Sequence, residues 1–216
     1  MKIEQAKLPP ILEPCNSLEN ATLQDPYVQG KLFENCTITA LELECLHLDG
    51  CHFKNVFFED CKFPMIDMID TVFENCEVMN LMFSEGAIHR IKFTHCRLMG
   101  IEIMDSTLKN VTFDACNARY ANLSGNHFKQ VLFQHSDFSN SAFIQCDYHK
   151  TVYDDCKLKE TEFYNTSLSG IDLSTSDIEG IGVSQNLLVG AVVSEQQALQ
   201  LVKLLGIVIK EDNIHS

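Results

Sequence analysis

The chain has 216 residues, with 30 Asp and Glu against 16 Lys and Arg and a formal net charge of −14. A surface this acidic repels nucleic acid and argues against direct DNA or RNA binding. No apolar run approaches the roughly 18 residues that cross a membrane, and Met1 to Cys15 lacks the apolar region of a signal peptide, so a cytoplasmic protein is expected.

In chain order, residues 1–15 come first, with Pro9, Pro10 and Pro14. They read as a cap or short tail, because proline cannot donate to a β-ladder and blunts an open coil end. Residues 16–193 obey one rule. Every fifth residue from Leu18 to Val193 is apolar, and the frame never slips. Helices repeat near 3.6 residues and strands near 2, so a period of five signals a solenoid. The residue two before each apolar one is mostly small or β-branched, and Cys36, Cys51, Cys61, Cys76, Cys96, Cys116, Cys146 and Cys156 all stand there.

These units, such as CTITA at Cys36, CHFKN at Cys51, CKFPM at Cys61, ANLSG at Ala121 and SDFSN at Ser136, resemble the pentapeptide-repeat family. The resemblance implies an all-β solenoid. It is a right-handed, four-sided β-helix of about nine coils, each of about 20 residues, with the large and small positions pointing inward and a short C-terminal α-helix.

Folding the frame into such coils predicts its columns. One is a core ladder of Phe33, Phe53, Phe73, Phe93, Phe113 and Phe133, continued by Tyr153, Leu173 and Val193. Rungs about 4.8 Å apart suit offset ring stacking. A second column carries Cys36, Cys76, Cys96, Cys116 and Cys156. Successive rungs are close enough for disulfides, but inward cysteines in a chain without an export signal are expected to be buried thiols.

The acids avoid both inward positions. The face led by Leu23 and Leu43 carries Asp25, Glu42, Glu44, Glu85, Glu102, Asp105 and Glu162 against Lys62 alone. The adjacent face led by Leu18 and Ile38 is also acidic, with Glu59, Asp60 and Glu77 among its carboxylates, whereas the face of Val28 and Leu48 is balanced. Two acidic neighbouring faces suit a basic groove and imitate a duplex. At roughly 43 Å for nine coils, B-DNA would present roughly 25 charges. The plainer alternative is that the charge keeps the rod soluble.

Catalytic patterns are absent: the chain has no phosphate loop, no G-x-S-x-G and no H-E-x-x-H, so no enzyme and no cofactor is expected. His47 with Asp67 and His127 with Asp147 fall one rung apart in an outward column, which predicts surface hydrogen-bonded pairs rather than a metal site.

After Val193 the pattern changes. Ser194 with Gln197 forms a capping box, and Ala198, Leu201, Val202 and Leu205 make an apolar helical stripe. Gly206 ends the helix, and Ile207, Val208 and Ile209 read as a short strand. The segment is a lid over the last coil, a dimerisation module, or both. The stretch SEQQALQLVKLLGIVI from Ser194 resembles the C-terminal module of Qnr- and MfpA-type proteins. That resemblance implies a two-fold dimer through residues 194–216 and a non-enzymatic DNA mimic. Its implied partners are DNA gyrase and topoisomerase IV, which it would protect from quinolones. The unbroken frame leaves no room for the projecting loops of many Qnr members. A structural or adaptor solenoid with another partner is the competing reading.

Overall fold

A four-sided coil needs a corner after every side. From Gly30 to Gly170 every fifth residue, two after the inward apolar one, has a positive φ. Glycine and asparagine adopt this left-handed conformation readily, and Gly30, Asn35, Gly50, Asn55, Asn75 and Asn80 are suited to it. Met65, Arg90 and Tyr120 are not, yet their φ values are 53°, 55° and 61°. There the ladder imposes the corner, at a cost of roughly 1 kcal/mol each.

The computed structural model describes residues 2–210. They form a parallel β-solenoid in which each residue pairs with the one 20 positions along, as in Leu32↔His52 and Lys92↔Thr112. The sides are called here the Phe33, Ile38, Leu43 and Leu48 faces, after the inward residues of one turn. Strands Phe57–Pro64 and Glu77–Ser84 run round the edge between the Ile38 and Leu43 faces. Thr107–Asp114, His127–Gln134 and Asp147–Asp154 run round the opposite edge, between the Leu48 and Phe33 faces.

The coil count is smaller than expected, at about seven turns. Regular strands extend from Glu13 to Asp154, and isolated bridges as far as Asp172↔Val192 continue the stacking. Local turns interrupt the five-residue frame near both ends, although Leu18 stays buried and Val192 still pairs with Asp172. Leu18–Thr22 is a short helix capped by Ser17, whose hydroxyl accepts from Asn20 N–H at 3.1 Å, and Leu23 is 74% exposed. Gln185–Leu188 is a 3₁₀ turn. The frame supplies apolar residues there, but Ser17 and then Pro26, which has no N–H, favour local structure over another rung.

The phenylalanine ladder forms as predicted. Successive rings from Phe33 to Phe133 lie 4.7–5.2 Å apart and within 13° of parallel, and Tyr153 continues the stack at 4.7 Å. Cys51, Cys61, Cys76, Cys96, Cys116, Cys146 and Cys156 are buried free thiols. Burial pushes Cys51, Cys146 and Cys156 up to about 11, which keeps them protonated and unreactive at neutral pH.

The small inward position is also a donor site. Cys51 Sγ donates to the Val28 carbonyl at 3.4 Å, and Thr161 Oγ1 to Phe138 at 2.8 Å. Serine at this position both accepts from and donates to the turn before it. Ser141 Oγ accepts from Ala121 N–H at 3.1 Å and donates to the Ala118 carbonyl at 2.9 Å.

Residues before Cys15 do more than cap the coil. Glu13–Cys15 pairs with Lys31–Phe33, adding a rung to the Phe33 face. The preceding residues run up the outside of the rod, along the edge of Gly30, Gly50, Asp70, Arg90, Asn110 and Gln130. At the other end, the helix Glu195–Leu201 carries the predicted capping box. Its buried member is polar: Gln197 Nε2 donates to the carbonyls of Leu173 and Ser176 at 2.8 and 2.6 Å, closing the last coil. Gly206, at φ 72°, ends the following turn as expected. Ile207–Ile209 does not form a strand, and no segment among the described residues pairs with it. Residues 211–216 of the expected dimerisation module lie outside the described residues.

Candidate interaction surface

Alternation along each side puts the neighbours of every inward residue outside, so the acidic residues fall on the surface by register. Glu42 and Glu44 flank Leu43 and are exposed, with the Glu42 backbone in a parallel β-bridge to that of Lys62 on the next rung. Glu85 and Asp105 occupy successive positions on the edge that closes the Leu43 face, beside exposed Glu102. Asp105 folds over Gly125, where a Cβ would meet its Oδ1 at 2.1 Å. Glu162 stands alone three rungs above Glu102.

Asp25 does not belong to a coil face. It lies between the first helix and the first full turn, where Oδ1 accepts from Tyr27 N–H at 3.0 Å and shapes the entry. On the Ile38 face, Glu59 is half-buried, and Asp60 accepts from Asn80 Nδ2 at 2.7 Å. Glu77 pairs with Arg97 at 3.5 Å, both largely exposed, so the pair offsets charge and adds little stability.

The two predicted histidine pairs are present, His47 Nδ1 to Asp67 Oδ2 at 2.9 Å and His127 to Asp147 at 3.6 Å. Tyr27 stacks on His47 at 4.4 Å, and His52 pairs with Glu74 at 3.1 Å; neither contact was read from the sequence. Among the described residues no His, Cys, Asp and Glu group is arranged to hold a metal.

A second missed feature lies among the acids. Met79, Met99 and Tyr120 are 45%, 49% and 54% exposed on the Ile38 face and its edge, and Met65 and Tyr164 are exposed on and beside the Leu43 face. Their outward register was legible, but the frame directs attention to inward residues. Flexible methionine adapts to a partner's shape, and aromatic residues concentrate binding energy. Arg119 lies over the Tyr120 ring at 5.4 Å.

The tail presents a third surface. Leu201 packs on the core and Val202 is half-buried, whereas Ala198 is exposed. Leu199, Leu205, Ile207 and Val208 are 55%, 58%, 51% and 91% exposed, with Ile209 at 43%. The described residues contain no helix long and apolar enough to cross a membrane.

Residues 46–123 match the model of a pentapeptide repeat region, and residues 106–147 match pentapeptide repeats in eight copies. The uncharacterized protein YisX of Bacillus subtilis (strain 168) is 32% identical over 128 residues, which cover 59% of this chain and 60% of that protein. Trypsin-treated QnrB1, a plasmid-mediated fluoroquinolone resistance protein, superposes with a TM-score of 0.50 at 16% identity. The superposition covers 83% of this chain and 99% of that one, and the likeness is one of fold.

Proposed function

Because the chain is a pentapeptide-repeat protein, we propose that it acts as a non-enzymatic DNA mimic in the cytoplasm. It binds the type II topoisomerases DNA gyrase and topoisomerase IV and protects them from quinolones. The observation that carries this reading is the placement of charge. The acidic Ile38 and Leu43 faces meet at an edge that is open, while the diagonally opposite edge is covered by the N-terminal segment. A strand-bearing rod of about seven turns is roughly 34 Å long, with carboxylates along one side for a basic groove. The fold it shares with a fluoroquinolone resistance protein supports the choice of partner.

A competing observation supports an adaptor with a different partner. The acids do not form unbroken columns, since Met82 separates Glu42 and Lys62 from Glu102, and Asn122 and Ala142 separate Glu102 from Glu162. Charge reversal distinguishes patterned recognition from net charge. Glu42, Glu44, Glu102 and Asp105 changed together to Lys are expected to weaken gyrase binding at least ten-fold more than reversal of Asp49 and Asp67 on the balanced face, compared per charge. Equal losses in a surface-binding assay over a salt series would remove the patterned face from the account.

The exposed tail completes the proposal with a second copy. Leu205, Ile207, Val208 and Ile209 would be covered by a two-fold interface, which doubles the rod and matches a two-fold partner. Light scattering at micromolar concentration is expected to give twice the 24.4 kDa of one chain. A mass near 24.4 kDa would remove the dimer.

A further inference from the structure

We infer that the edge between the Leu48 and Phe33 faces is a binding groove for an extended peptide, occupied here in cis by residues 2–10. The contacts are spaced like a recognition site. Lys7 N–H donates to Asp70 Oδ1 at 2.9 Å, Glu4 N–H to Asn110 Oδ1 at 3.3 Å, and Gln130 Nε2 to the Lys2 carbonyl at 3.2 Å.

The repeat distances agree. Asp70 and Asn110 are two rungs apart, roughly 9.6 Å, and Lys7 and Glu4 are three extended residues apart, roughly 10 Å. From Pro9 to Lys2 the segment spans roughly 23 Å, and from Gly30 to Gln130 the edge rises roughly 24 Å. A peptide in this conformation therefore stays in register with the rod over five rungs.

Side chains add selectivity. Pro9 lies over Gly30 and Gly50, and a Cβ at Gly50 would come within 2.8 Å of Pro9 Cδ, so the two glycines make a slot for a proline ring. Asp70 is held by a two-bond pair with Arg90, Nε to Oδ1 and Nη2 to Oδ2 at 2.7 Å each. Both side chains are largely buried, 12% and 14% exposed. Asn110 is 2% exposed and within 3.4 Å of His89. Two fixed acceptors thus face a passing backbone. Ile3, Ala6, Leu8 and Pro9 are half-buried, while Lys2, Glu4, Gln5 and Lys7 are exposed.

The ligand class is an extended peptide with backbone donors three residues apart and a proline two residues after the second. This site is on the opposite edge from the acidic surface, and it stands or falls independently of topoisomerase binding.

The test uses the full chain with a protease site placed at exposed Ile11, which is 83% exposed. After cleavage the N-terminal fragment is expected to comigrate with the rod on gel filtration at about 100 µM, and excess synthetic Lys2–Leu12 peptide should displace it. A scrambled peptide, or one N-methylated at the Lys7 amide, should need at least ten-fold more. Release of the fragment from a rod with unchanged circular dichroism would overturn the proposal, as would equal displacement by the scrambled peptide. Collapse of the rod on cleavage would also overturn it, by making the segment a stave rather than a ligand.

Discussion

Phe113→Ala should lower the unfolding free energy by about 3–5 kcal/mol, the usual cost of emptying a buried aromatic site. The ring is 0% exposed and stacked between Phe93 at 4.8 Å and Phe133 at 5.2 Å, with Phe138 edge-on at 5.8 Å. Backbone ladders above and below hold the rungs at fixed spacing, so the cavity has little freedom to collapse. Lys92→Ala, at a half-exposed outward position, should stay within about 0.5 kcal/mol of the parent. Urea denaturation of both variants checks this, and a Phe113→Ala midpoint matching the parent would mean that the ring does not hold the stack together.

Asn126→Leu should cost roughly 2–6 kcal/mol through a different mechanism. Asn126 is 0% exposed at a position where the flanking turns carry Ser106, Cys146 and Thr166, while earlier turns carry Leu46, Ile66 and Gly86. Its Nδ2 donates to the carbonyls of Ile103 and Leu123 at 2.7 and 2.8 Å, and its Oδ1 accepts from Ser106 N–H at 2.8 Å. Leucine keeps the volume but leaves the Ser106 N–H and Ile103 carbonyl unpaired, at about 1–3 kcal/mol for each buried orphan. The Leu123 carbonyl retains the Cys146 thiol at 3.2 Å. Asn126→Ser should recover part of the loss, because Ser136 Oγ receives the Cys116 N–H of the turn before it in the same way, at 3.0 Å. Thermal melts in which leucine proves no worse than serine would contradict this account of the inward polar position.

What could be read from the sequence follows from which forces are periodic. Burial acts on every fifth residue, so the ladder from Phe33 to Phe133, the inward cysteines and the cross-rung His47–Asp67 pair could all be placed from the frame. The capping box at Ser194 was legible because it is local. The first helix was not, because Leu18 and Leu23 satisfy the frame while Ser17 directs the chain elsewhere. The left-handed corners at Met65 and Arg90 run against the preferences of those residues and exist only because neighbouring rungs impose them. The N-terminal segment was hidden for a related reason. Its partners Asp70 and Asn110 are 63 and 106 residues away, and nothing in the spacing of Ile3, Ala6 and Leu8 announces a groove. The acidic faces were found by register, but Glu77 proved to be paired and Asp25 to shape a turn. Ile207–Ile209 had β-branched residues but no partner strand among the described residues.

Supercoiling by DNA gyrase in the presence of an inhibitory fluoroquinolone tests the proposed function most directly. Added at stoichiometric to several-fold molar excess over the enzyme, the intact protein is expected to restore supercoiling. The variant with Glu42, Glu44, Glu102 and Asp105 reversed to Lys is expected to fail. If the intact protein leaves drug-inhibited gyrase unchanged across that range, it is not a topoisomerase-protecting DNA mimic, and the acidic faces serve a different partner.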